Sequence, residues 1–137
     1  MRRKGEIKTS RGRRKRSLGD VDAKTLNAVS LFLRGVASRY TVSQAILFGS
    51  RARGTHRSDS DIDVAILLHG PPDRFVATKI NMADLAYDVL LDTGMRIQPL
   101  PIWEEEWEHP ATYSNPGLLS NIAKEGVRLP IGKRVAG

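Results

Sequence analysis

Two short apolar runs, each joined to a polar signature, constrain this chain more than anything else in it. Ala45-Ile46-Leu47-Phe48 ends in Gly49-Ser50, as expected for a buried strand that runs into a tight turn. The polar stretch from Arg51 to Ser60 reads as a loop. The run that follows, Asp61-Ile62-Asp63-Val64-Ala65-Ile66-Leu67-Leu68, opens with strict alternation. Side chains alternate across a strand, so Asp61 and Asp63 point to one face and Ile62 and Val64 to the other. The outcome is a pair of carboxylates on a strand, one loop away from a glycine turn.

The rest of the chain supplies the elements that would cover such strands. Leu26, Val29, Leu33, Val36 and Tyr40 recur at spacings of three and four, which predicts a helix over 21–39 with Asp20 or Asp22 near its start. Pro71-Pro72 ends the second strand. Asp73 is the expected cap of a second long helix, with Phe75, Val76, Ile80, Ala83, Tyr87 and Leu90 or Leu91 on its apolar face and Gly94 at its stop. Residues 95–102 read as a third strand. Pro99 and Pro101 both lack an N–H and lie on one side of it, so that side should be a sheet edge or irregular. A final helix fits Leu118 to Glu125, with Asn115 as cap, Pro116 in the first turn and Gly126 as stop. The expected fold is α/β, a small mixed sheet flanked by two long helices and a C-terminal helix.

Charge is concentrated at one end. Residues 1–17 hold nine of the 22 basic residues against one acid, Glu6, and the remainder of the chain is close to neutral. With no apolar periodicity to offset the entropy of ordering, this tail is expected to be disordered when free, and it is a candidate nucleic-acid contact. At 137 residues there is room for one ordinary domain. No run of about 18 apolar residues occurs, so no membrane span is expected, and a soluble, cytoplasmic protein is. Cysteine is absent, which leaves oxygen or imidazole to hold any metal.

The turn and the acid pair suit phosphate chemistry. The missing Cβ of Gly49 lets an anion approach the main chain, Ser50 adds a hydroxyl donor, and Arg51 and Arg53 can neutralise phosphate charge. Magnesium prefers one or two carboxylates completed by water and substrate phosphates, which an Asp-x-Asp strand pair provides. Separately, each feature is common in turns and on solvated strand faces. Their conjunction at this spacing is specific.

The segment Leu47-Phe48-Gly49-Ser50-Arg51-Ala52-Arg53-Gly54 through Ser58-Asp59-Ser60-Asp61-Ile62-Asp63 resembles the DNA polymerase β-like nucleotidyltransferases, and among them the minimal nucleotidyltransferases. The similarity is strongest over 45–68 and extends to about 129. It implies a polymerase β-like palm fold over 20–129, between the basic tail 1–19 and a C-terminal tail 130–137. It further implies that Gly49, Ser50, Arg51 and Arg53 bind nucleotide. Asp61 and Asp63 would be the catalytic residues and the ligands of one or two Mg2+ ions. The implied reaction moves a nucleoside monophosphate, from ATP or another NTP, to a hydroxyl of a partner macromolecule. Minimal members pair with HEPN-type toxins as antitoxins that modify a tyrosine.

One departure bears on activity. The third carboxylate of such sites comes from the strand that here reads Met95-Arg96-Ile97-Gln98-Pro99-Leu100-Pro101, which has no acid. Gln98 is the residue expected at that location, and an amide cannot act as a base at neutral pH. A binding module with vestigial catalysis, neutralising a partner by contact, is therefore the alternative reading. Glu104, Glu105 and Glu106 read as a solvated helix start in preference to a lent carboxylate. His56 reads as an ordinary loop histidine, Trp103 and Trp107 as packing residues on one helix face, and Asp84, Asp88 and Asp92 as a solvated helix face.

Overall fold

In the computed structural model of the chain, residues 15–131 are described; most of the basic tail and the last six residues lie outside them. Helix α1, Ala23–Ala37, starts where Asp22 caps it, the carboxylate accepting the Thr25 N–H at 3.0 Å and the Thr25 hydroxyl at 2.8 Å. Strand β1, Val42–Phe48, runs into a short helical turn, α2, Ser50–Arg53. The segment after Phe48 is thus helical at its start, where the sequence suggests only loop. Strand β2, Ile62–Leu68, helix α3, Phe75–Thr93, and strand β3, Ile97–Trp103, follow. Helix α4, Glu104–Glu108, and helix α5, Pro116–Glu125, lead into a last strand, β4, Val127–Leu129.

The four strands form one mixed sheet in the order β3-β2-β1-β4. β1 is antiparallel to both β2 and β4, while β2 and β3 are parallel and joined through α3. Pro99 and Pro101 therefore lie on an edge strand, the place their missing donors demand. Alternation sorts the sheet into two faces. Leu47, Ile62, Val64 and Ile66 pack with Phe32, Leu33 and Val36 of α1 and with Met82 of α3. Ile46, Ala65, Leu67 and Ile102 pack on the opposite face with Leu119 and Ile122 of α5. Asp63 alternates with Ala65, so it opens onto the α5 face.

Several local expectations hold. Gly94 ends α3 in the left-handed region at φ 77°, and its N–H returns to Leu90 O at 2.8 Å. Asn115 caps α5 by accepting the Leu118 N–H at 3.2 Å. At Gly126 a side chain would run into Ile46 and the Ile122 carbonyl, so the helix stop is also a packing site.

Others do not. Asp73 does not cap α3, which begins after Arg74 without a side-chain cap bond. The buried side of α3 is Thr78, Met82, Ala86 and Val89, whereas Phe75, Val76, Ile80, Tyr87 and Leu91 face solvent. The helix is apolar on two sides, and the narrower side, with Ala86 and Thr78, is the one packed inward. Trp103 and Trp107 do not share a helix face: Trp103 ends β3 in the α1/α3 core, and Trp107 lies on α4 against the other cluster. The strand at Val127–Leu129 is an element the sequence reading passes over.

Candidate functional site

The end of β1 and the start of β2 meet at one end of the sheet, because the antiparallel register sets Phe48 opposite Asp63. Gly49 follows at φ 74°, ψ −157°, a region open only to glycine. The reason lies across the sheet. A Cβ on Gly49 would collide with the Asp63 carboxylate. The turn closes as the Ala52 and Arg53 N–H groups both return to Gly49 O at 3.1 Å. Gly49-Ser50 and the Asp61/Asp63 pair are thereby parts of one small surface.

Asp63 is half-buried and Asp61 more exposed. Burial, then the neighbouring Asp61 charge, raises the Asp63 pKa above the ordinary carboxylate range, with Arg53 opposing. Arg53 is therefore within electrostatic reach of the pair; it also lies 3.5 Å from Glu125 of α5. Gln98 stands beside Asp63 in the parallel ladder, and its Nε2 donates to Asp61 Oδ2 at 3.5 Å. Arg96 Nε is 4.0 Å from Asp61 Oδ1.

Arg51 is not brought to this surface. Its guanidinium is buried and spends its donors inside the protein, on Ser60 O from Nε and on Ser58 O and Ser60 O from Nη2, at 2.9–3.1 Å. Nη1 donates to the buried Thr25 hydroxyl at 2.9 Å and lies 3.9 Å from Asp22. A planar fork suits this work, clamping the loop that precedes Asp61 onto the start of α1. The sequence shows the charge of Arg51 but not its direction.

His56 is bound up in the same clamp, its Nε2 3.4 Å from Asp22 Oδ1. Glu104 and Glu106 are elsewhere: at the far end of β3, Glu104 accepts the Gly70 N–H and pairs with His69, and Glu106 accepts the Trp103 N–H. Six residue steps along β3 separate Glu104, the nearer of the two, from Gln98, roughly 20 Å at about 3.3 Å per residue. Neither reaches the Asp61/Asp63 pair.

Beside Arg53 opens a cleft of about 620 Å³, lined also by Lys15, Arg16, Thr55, Lys124 and Glu125. Lys124 and Glu125 join the site only through the packing of α5. Their helical pattern in the sequence shows nothing of this.

Among the described residues no three His, Asp or Glu side chains converge as a ready metal cage. The donors at hand are the two carboxylates of Asp61 and Asp63, with an amide beside them. That set fits a hard cation that takes its remaining ligands from water and phosphate, as Mg2+ does, and not one requiring a complete protein shell. No helix among the described residues is long and apolar enough to cross a membrane.

Comparison with known proteins agrees with this fold. Two solved structures share the fold: a toxin-antitoxin complex with AMP-PNP, at 20% identity and TM-score 0.53, and a mutant of the toxin-antitoxin MntA-HpeT, at 18% identity and TM-score 0.52. Each alignment covers 79% of this chain and 74% of the other. No curated protein matches the sequence. The profile of the nucleotidyltransferase domain family matches residues 29–129, which takes in the later part of α1, the Gly-Ser turn, the Asp pair and all four strands. On that match, the chain belongs to the nucleotidyltransferase domain family.

Proposed function

We propose that the chain transfers a nucleoside monophosphate, AMP from ATP in the first instance, to a hydroxyl of a partner macromolecule, with Mg2+ held by Asp61 and Asp63. The observation that carries this reading is the fit of Gly49 against Asp63, which sets an anion-accepting turn against a carboxylate pair. The bound metal would neutralise phosphate charge. Gly49 and Ser50 receive the polyphosphate through the main chain and a hydroxyl, and Arg53 adds a cation beside Asp63. The basic cleft beside Arg53 has the size to take the nucleoside end. The acceptor oxygen bonds to the α-phosphorus and its proton passes to water, the bond from that phosphorus to the oxygen bridging to the β-phosphate breaks, and pyrophosphate leaves.

The acceptor hydroxyl belongs to another molecule, and a HEPN-type toxin in the cytoplasm is the partner we propose. The toxin-antitoxin assemblies that share the fold support it. Incubation with α-labelled ATP, Mg2+ and a HEPN protein from the neighbouring reading frame should label that protein, and Asp61→Asn or Asp63→Asn should abolish the label. Tight partner binding with no transfer would sink the enzyme reading.

A second reading has its own observation. Gln98 occupies the ladder position next to Asp63 and bonds Asp61, so no base of carboxylate type stands there. A domain that binds nucleotide and partner without efficient turnover fits this. Nucleic-acid binding through residues 1–17 is a third, tested by deleting them: retained binding would count against it.

A further inference from the structure

Helix α3 presents to solvent a second apolar face, which the nucleotide site does not use. Val76, Ile80, Tyr87 and Leu91 are 68, 56, 58 and 67% exposed, and Ala83 between them is exposed as well. Their spacings of four, three, four and four put all five on one stripe. From Val76 to Leu91 it runs about 22 Å at 1.5 Å per residue. Single exposed apolar residues are ordinary, whereas a continuous row marks a contact surface. Along one flank lie the exposed Asp84, Asp88 and Asp92, none of which pairs with a cation among the described residues.

We propose that this stripe docks an amphipathic helix of a partner protein whose apolar ridge is flanked by Lys or Arg. Charge complementarity selects that occupant. The stripe supplies apolar area for the partner's ridge, and the acid row supplies the electrostatic register. A second copy of this chain is the poorer fit. An antiparallel two-fold pair of α3 helices sets acid flank against acid flank, and the stripe's midpoint falls between Ala83 and Asp84, so Asp84 would sit beside its own symmetry mate. Anionic surfaces are repelled by the same row.

The placement leaves the chemistry free. α3 covers the sheet face lined by Ile62, Val64 and Ile66, while Asp63 opens onto the face covered by α5. A partner can thus be held on one side of the molecule while nucleotide occupies the other. Docking on this stripe is independent of nucleotidyl transfer.

The full chain is titrated, by fluorescence anisotropy, with a labelled synthetic helix carrying a leucine ridge flanked by lysines, and with its glutamate-flanked counterpart. The lysine form should bind at least about tenfold tighter. Ile80→Asp with Leu91→Asp, both at exposed positions, should weaken it by at least about tenfold while circular dichroism stays unchanged. Asp84→Lys with Asp88→Lys should reverse the preference between the two peptides. Equal affinity for both peptides, or unchanged binding by the stripe variant, would overturn the proposal. So would a dimer in sedimentation velocity that the stripe variant converts to monomer, since a second copy would then hold the face.

Discussion

Gln98 lies directly across from Asp63 in the parallel ladder of β2 and β3, with its side-chain amide donating to Asp61 Oδ2 at 3.5 Å. An amide at this position can orient a carboxylate but cannot take a proton from an acceptor hydroxyl. Gln98→Asp should therefore raise the rate of transfer from MgATP, by about 10²-fold if a general base is what the site lacks. The measurement is labelled-nucleotide transfer at saturating Mg2+. A rate unchanged or lowered would show that the acceptor needs no base from β3.

Gly49 has a φ of 74°, and a Cβ there would run into the Asp63 carboxylate. Gly49→Ala should cost about 1–3 kcal/mol from the backbone conformation alone. The added methyl also displaces the Asp63 carboxylate, so ATP binding in the presence of Mg2+, followed by calorimetry, should fall below detection. Wild-type stability in urea would contradict the conformational argument.

Removing the Arg51 guanidinium leaves the Ser58 and Ser60 carbonyls and the buried Thr25 hydroxyl without their donor. Arg51→Ala should destabilise the fold by about 2–4 kcal/mol, the range for charged hydrogen bonds left unmade in a buried place. Arg51→Lys should recover little of it, because one ammonium cannot span acceptors arranged for a fork. Urea denaturation of the three proteins decides. A purely catalytic loss at full stability would return Arg51 to the phosphate.

Burial and the Asp61 charge raise the Asp63 pKa. A carboxyl whose folded pKa lies above its unfolded value of 3.8 contributes stability below that value, and loses it as pH rises through the folded pKa. At pH 7 in EDTA the ionised Asp63 thus costs stability. Asp63→Asn should raise the melting temperature of the metal-free protein at pH 7, and the gap should narrow as pH falls toward 4. Mg2+ binding by the same variant should be lost. A lower melting temperature would indicate that Asp63 is held by contacts stronger than the repulsion.

Asp22 shows the opposite sign. Burial acts to raise its pKa, but the bonds from the Thr25 hydroxyl and N–H, with the charges of Arg51 and His56, outweigh it and hold the pKa low. Its contribution is present above the unfolded value and disappears as pH falls through the folded one. Asp22→Ala should cost about 1 kcal/mol as a lost helix cap at pH 7, and less near pH 3. Thermal melts at the two pH values test the difference.

What the sequence determined by itself was local. Alternation over two residues is enough to put Asp61 and Asp63 on one face, a glycine after an apolar run marks the turn, and the spacing in 21–39 picks out the buried side of α1. Pro99 and Pro101 announced the sheet edge, since a missing donor has the same consequence in any context. Tertiary structure decided whatever depended on pairing between distant segments. α3 has two apolar sides, and its periodicity is the same for both; only the sheet beneath it chose Met82 and Ala86 over Ile80 and Tyr87. Arg51 carries the same charge whether it faces phosphate or the Ser58 and Ser60 carbonyls, and the folded loop turned it inward. The ladder of β2 with β3 set Gln98 next to Asp63. Register across a crossover is a property of the sheet as a whole, and no single segment carries it.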